Sequence, residues 1–159
     1  FIVSGFSQGA VIAGDVADEI GGGQGAVPAE SIAGVALIAD GRRQNGVGQN
    51  PGRKVGGVGA EIALQPVSGL VQPIVPGASM RGARPNGFGS LADRTFQICA
   101  PNASVCDAPP NVSNALERAQ GLIAANGVHA QYASNSGVID GTTANQWVVG
   151  WARQLIDAA

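Results

Sequence analysis

The first fourteen residues, FIVSGFSQGAVIAG, constrain the fold more than any other part of the chain. An apolar run over residues 1–4 predicts a buried strand, which leads directly into the sequence G-F-S-Q-G. Over residues 8–20 apolar side chains recur at every fourth position until three glycines end the pattern, which predicts an amphipathic helix. A strand that turns on a serine into a helix is the geometry of a nucleophile elbow.

The rest of the chain predicts an α/β fold. Residues 31–40 and 95–99 are apolar enough for strands of a parallel sheet, and a helix that connects two such strands forms a βαβ unit. Helical spacing predicts two further helices over residues 112–125 and 142–158. The region 41–85 is rich in glycine and proline and predicts long surface loops with at most a short strand near residues 60–64. We therefore expect a single domain, residues 1–159, with a parallel sheet flanked by helices.

Charge and cysteine content narrow the classes of function. The formal charge of -2, from 11 acidic and 9 basic residues, provides no basic surface, so we expect no nucleic-acid partner. No apolar run is long enough to predict a spanning helix, and the first residues do not resemble a signal peptide, so any export signal is expected to be removed or to lie outside this chain. Cys99 and Cys106 are too few for a metal site without other ligands; in an exported protein a disulfide is favoured over free thiols.

Ser7 is the candidate nucleophile. The G-x-S-x-G pattern alone is weak in a chain with 25 glycines, but it stands here between a predicted strand and a predicted helix. Small residues at Gly5, Gly9 and Ala10 would let the backbone make the sharp turn. The helix N-terminus and the amide of Gln8 would then face a developing oxyanion.

A serine nucleophile needs a base, and the chain contains one histidine, His129. A single histidine is often a surface residue without a catalytic role. Its place after the last predicted strand, however, matches the order serine, acid, histidine of the α/β-hydrolases. Ser7 and His129 together are therefore a candidate nucleophile and base.

Three motifs in this order, GFSQG, the cysteine loop CAPNASVC and HAQY, resemble the cutinase family of serine esterases. The longer stretches GFSQGAVIAGD, LIADGRRQ, GARPNGFG and VHAQYA resemble more specifically the cutinase-like lipolytic enzymes of mycolic-acid-containing actinobacteria. The resemblance extends over nearly the whole chain. It implies an α/β-hydrolase fold in an exported protein, secreted or in the cell envelope, that needs no metal or cofactor.

The resemblance also implies roles for individual residues. Ser7 would be the nucleophile, His129 the general base and Gln8 an oxyanion-hole amide, with a disulfide between Cys99 and Cys106 bracing the loop that presents the acid. The implied substrates are carboxylic esters, and for this branch lipid esters or acyl thioesters. We therefore expect peripheral contact with membrane or cell-envelope lipid.

The chain departs from the family at the acid, which the family carries four residues after the first cysteine and which is Ala103 here. Asp107 is the nearest substitute, and Asp93 and Asp140 are weaker candidates. An isolated change from aspartate to alanine and a naturally degenerate site both remain open. Ala103 also supports the rival hypothesis of a non-catalytic protein that binds lipid or cell-wall material.

A second departure lies at the front of the chain, which begins in the elbow strand although the family has further strands before it. We expect those strands, and the other oxyanion donor, in a missing segment or a separate chain; the alternative is that this part of the protein folds differently. Two smaller questions concern surfaces. Residues 64–80 predict an apolar loop that packs onto the domain or, alternatively, a flap that meets lipid, while Arg42 and Arg43 predict a solvated pair rather than a site for an anionic head group.

Overall fold

The computed structural model describes residues 1–124 and 127–159 and contains a parallel sheet of three strands. The strand order follows the sequence, with Ile2 opposite Gly34 and Val35 opposite Thr95. The predicted parallel sheet flanked by helices is confirmed. The strands are β1 (Ile2–Phe6), β2 (Gly34–Ile38) and β3 (Thr95–Ile98).

Helices cover the sheet and form part of the long connections. The helix after β1 is the crossover to β2, as predicted for a βαβ unit. The last helix begins with a capping box between Thr143 and Gln146. The helices are α1 (Gln8–Gly21), α2 (Ala60–Ala63), α3 (Ser68–Val71), α4 (Ala115–Ala124) and α5 (Ala144–Asp157).

Two predicted elements differ from the structure. The strand expected over residues 60–64 is wrong, because this segment is α2, in which the amide of Leu64 donates to the carbonyl of Ala60 at 2.9 Å. The sequence AEIAL is rich in good helix formers, and so short an apolar run does not distinguish a strand from a helix by its periodicity. The helix expected over 112–125 begins at Ala115, and Ala125 and Asn126, where it was expected to end, lie outside the described residues.

Strand β2 is the centre of the core, since all five of its residues are buried. One apolar cluster packs around α1 and includes Ala17, Val35 and Phe88, while another contains Ile98 and the disulfide loop. The carboxyl ends of the parallel strands therefore meet beside the first turn of α1 and the loop that follows β3. This edge of the sheet positions the candidate site.

The prediction that Arg42 and Arg43 form a solvated pair is wrong, because their exposed fractions are 8% and 1%. Arg42 donates to Asp15 Oδ1 at 2.9 Å and to the carbonyl oxygen of Gly82 at 2.9 Å. Arg43 donates to the carbonyl oxygen of Cys106 at 2.8 Å. Both guanidinium groups thus hold loops together, because nearby carboxylate and carbonyl oxygens compensate for their loss of hydration.

Residues 64–80 pack largely onto the domain. Leu64, Val71 and Met80 are buried against Ala119 of α4, whereas Leu70 is 57% exposed. Within the described part of the chain, no helix combines the length and the apolar character needed to cross a bilayer.

Candidate active site

Ser7 occupies the sharp turn between β1 and α1. Its backbone has φ 55° and ψ -119°, a left-handed conformation that is strained for a residue with a side chain. The amide of Ser7 donates to the carbonyl of Ile38 at 2.8 Å, and its carbonyl accepts from the amide of Val11 at 3.1 Å. These bonds fix the serine at the point where the sheet ends and the helix begins.

Glycine is required at only one of the two positions that flank this serine. A Cβ atom at Gly5 would lie 2.3 Å from the carbonyl oxygen of Gly9, so no larger residue fits between strand and helix. A Cβ atom at Gly9 would have no neighbour within 4 Å. The Ser7 side chain makes no capping bond to α1, which leaves its hydroxyl free to face another partner.

That partner is His129, which lies in a single 3-10 turn over Gly127–Gln131. Ser7 Oγ and His129 Nε2 are 3.0 Å apart, although 122 positions separate the two residues in the sequence. The histidine is 8% exposed, and burial lowers the pKa of its imidazole from the ordinary value. At neutral pH the ring is therefore uncharged and able to accept a proton.

The other ring nitrogen of His129, Nδ1, is buried and has no hydrogen-bond partner among the described residues. Ala103 is 1% exposed and lies in the apolar cluster of Tyr132, against which Val128 also packs. Ala103 and Val128, the residue before His129, therefore contact the same apolar cluster.

The carboxylate of Asp107 accepts hydrogen bonds from backbone amides and none from His129 Nδ1. Its Oδ1 accepts from the amide of Gly57 and its Oδ2 from the amide of Asn102, each at 2.7 Å. Asp93 and Asp140 are exposed. The carboxylate of Asp107 instead fixes the shape of the loop that contains Ala103.

The same loop is closed by a disulfide between Cys99 and Cys106, as the resemblance implied. The phenol of Tyr132 lies against it and accepts a hydrogen bond from the amide of Ala100 at 2.9 Å. A cavity of about 290 Å³ adjoins the loop, and its lining includes Leu64 and Leu122. Neither Ser7 nor His129 lines this cavity.

We expect replacement of both Cys99 and Cys106 by alanine to lower the free energy of unfolding by about 2 to 3 kcal/mol. The reason is that the disulfide restricts the conformations of the unfolded chain and so lowers its entropy. Urea unfolding followed by circular dichroism measures this difference. Ser104→Ala, an exposed change in the same loop, is the control and is expected to stay within about 0.5 kcal/mol. A double cysteine variant as stable as this control would contradict the prediction.

Sequence reasoning missed two features of the site. The ring of Phe6, the residue before Ser7, stacks on the imidazole of His129 with centroids 5.2 Å apart. Arg84 forms a buried ion pair with Asp40, two residues after β2, with 2.6 Å between Nη1 and Oδ2. Neither contact carries a sequence signal, because the partners are far apart along the chain.

The chain is similar to the Carboxylesterase Culp6 homolog of Corynebacterium glutamicum, with 66% identity over 157 residues. The alignment covers 99% of this chain and 51% of that protein, so the chain spans about half the length of the curated relative it matches. No protein-family model matches the chain. This similarity, over nearly the whole chain, confirms the resemblance to the cutinase-like esterases that the motifs indicate.

Proposed function

We propose that the chain carries the nucleophile and base of a serine esterase, which hydrolyses carboxylic esters, lipid esters or acyl thioesters through an acyl-enzyme on Ser7. The observation that carries the proposal is the 3.0 Å approach of Ser7 Oγ to His129 Nε2 across a strained strand-to-helix turn. The similarity to a protein named as a carboxylesterase supports the reaction class.

In the first half of the proposed reaction, His129 Nε2 takes the proton of the Ser7 hydroxyl while Oγ bonds to the carbonyl carbon of the substrate. The negative charge that develops on the carbonyl oxygen faces the N-terminus of α1. There the amide of Gln8 has no acceptor inside the helix and can donate to the oxyanion. The bond from carbon to the leaving oxygen or sulfur then breaks, and His129 returns its proton to that atom.

In the second half, water attacks the acyl group on Ser7 while His129 accepts a proton from the water. The bond between the acyl carbon and Oγ breaks, the carboxylic acid leaves, and the proton returns to Ser7. Because Nε2 must accept a proton in each half, Nδ1 must carry the proton of the neutral ring. In this chain Nδ1 has no described acceptor, so we propose that turnover is impaired.

The missing acceptor also favours a second candidate function, a non-catalytic protein that binds lipid or cell-wall material on the same fold. Ala103 is its support, because catalysis by serine and histidine benefits from an acid that binding does not need. Close apposition of a strained serine and a buried histidine argues against it. For either function we propose a secreted or cell-envelope protein, with the disulfide as weak support.

A serine-directed fluorophosphonate tests the proposal without requiring turnover. We expect the probe to modify the peptide that contains Ser7, detected as a mass increase, because Oγ needs only activation by His129 to attack phosphorus. Ser7→Ala is expected to abolish labelling. Ser4→Ala, an exposed change on β1, is the matched control and is expected to label normally.

Labelling at another residue, or equal labelling of the Ser7→Ala variant, would contradict the acyl-enzyme. A chain that resists the probe and still binds long-chain lipid vesicles would favour the binding protein instead.

A further inference from the structure

Two aromatic rings enclose the imidazole of His129. Phe6 stacks on it, with an angle of 24° between the ring planes and 5.2 Å between the centroids. Tyr132 meets it edge to face, at 6.3 Å and 89°. The two aromatic rings also contact each other, at 5.8 Å. The imidazole therefore contacts one nearly parallel and one nearly perpendicular aromatic ring.

Packing in an apolar cluster explains the position of Tyr132 but not that of Phe6. Tyr132 is 3% exposed and belongs to the core cluster around the disulfide loop. Phe6 is 47% exposed and belongs to none of the buried clusters of the described residues. Membership of an apolar cluster therefore does not account for the position of Phe6, whose ring contacts His129 and Tyr132.

The electrostatic surroundings of His129 indicate what the contact with Phe6 can contribute. Within residues 1–124 and 127–159, no carboxylate forms a hydrogen bond or ion pair with the imidazole. Tyr132 is the titratable side chain whose ring meets the imidazole, and burial raises the pKa of its phenol, so that it remains neutral. Asp107, which directly follows the disulfide loop, accepts hydrogen bonds from two backbone amides. The positive charge that catalysis places on the ring thus lacks an anionic partner.

We propose that Phe6 is a positioning residue that stabilises the imidazolium form of His129 through the π face of its ring. The inference rests on the proposed function, in which the proton of Ser7 Oγ passes to Nε2 and leaves the imidazole with a full positive charge. A cation within about 6 Å of an aromatic centroid and over its face is attracted by the ring quadrupole. The ring of Phe6 lies within this distance and is tilted by only 24° from the imidazole plane, whereas the ring of Tyr132 stands nearly perpendicular to the imidazole, at 89°.

The single histidine of the chain allows a direct test that does not depend on turnover. We expect Phe6→Leu to lower the pKa of His129 by about half a unit, measured by NMR titration of histidine-labelled protein. Phe6→Trp is expected to keep or raise the pKa, because indole binds cations best among the aromatic side chains. Phe1→Leu, the same substitution at a residue that is 78% exposed, is the control and is expected to leave the pKa of His129 unchanged.

The sign of the shift separates this role from simple shielding. Burial lowers the pKa of His129, so a Phe6 that only excludes water would let the pKa rise when leucine replaces it. A rise or no change in Phe6→Leu, with an unchanged circular dichroism spectrum, overturns the proposal. Fluorophosphonate labelling of Ser7 tests the esterase mechanism separately, and normal labelling together with an unchanged pKa would refute only the role of Phe6.

Discussion

Replacing Ala103 by aspartate is expected to raise the turnover of a p-nitrophenyl acyl ester by about a hundredfold or more. Changing the triad aspartate in another serine hydrolase lowers turnover by about 10⁴, because the imidazole loses both its productive tautomer and the partner of its charge. Among the described residues His129 Nδ1 has no hydrogen-bond partner, and Ala103 lies in the apolar cluster against which Val128 packs. We expect a carboxylate at position 103 to accept a hydrogen bond from Nδ1.

The same variant should change the titration of His129. A carboxylate next to the imidazole favours its charged form, so we expect the pKa of His129 to rise from its present lowered value. The acidic limb of the rate profile should move upward with it, because a base with a higher pKa is protonated, and therefore inactive, over a wider range of pH. NMR of the single histidine and the pH dependence of kcat/KM measure the two shifts independently.

Two variants control for indirect effects of a polar residue in the cluster. Ala103→Asn has nearly the same size as aspartate but cannot stabilise the imidazolium in the same way, and it should give little increase in turnover. Combining Ala103→Asp with Ser7→Ala should return activity to the background. If Ala103→Asp leaves turnover unchanged for both short and long acyl chains while the protein stays folded, position 103 does not serve His129 and the impaired-triad hypothesis is wrong.

The elbow could be predicted from the sequence because its determinants are local. A buried strand, small residues and an amphipathic helix follow one another within about twenty positions, and the turn between them leaves few choices for Ser7. The turn is so tight that a side chain at Gly5 would collide with the carbonyl of Gly9. The disulfide was likewise implied by the spacing of two cysteines within a recognisable motif.

The contacts that complete the site could not be predicted in this way. Arg42 and Arg43 were expected in water because charged pairs usually are, but acceptors contributed by distant loops bury both of them. Phe6 meets His129 only because β1 and the 3-10 turn before Tyr132 come together in three dimensions. Periodicity describes which face of an element is buried and does not describe the pairing of individual side chains over long separations.

The largest loss of stability is expected from Arg84→Met, at about 3 to 5 kcal/mol in the free energy of unfolding. The side chains of Arg84 and Asp40 are 3% and 0% exposed, and two guanidinium nitrogens donate to the two carboxylate oxygens at 2.6 and 3.0 Å. Burial alone would lower the pKa of Arg84, but hydrogen bonds and charges from Asp40 and Asp15 outweigh it and raise the pKa. Removing the cation leaves Asp40 charged in a site that excludes water.

Arg81→Met is the matched control because Arg81 contacts the same Asp15, at 2.8 Å, from a position that is 45% exposed. Such an exposed pair contributes at most about 1 kcal/mol, so the two methionine variants should differ severalfold in their loss of stability. Urea unfolding followed by circular dichroism measures both losses under the same conditions. Equal small losses would show that the buried pair has little importance for the fold.

A double variant tests whether the uncompensated charge is the cause. Adding Asp40→Asn to Arg84→Met removes that charge, and the new side chain keeps an oxygen that can accept from Gln97 Nε2, which donates to Asp40 Oδ2 at 3.0 Å. We expect at least half of the lost stability to return, because a neutral amide costs much less to bury than a carboxylate. A double variant less stable than Arg84→Met would mean that Arg84 acts through packing, for example against Phe88, whose ring centroid lies 5.3 Å from its guanidinium carbon.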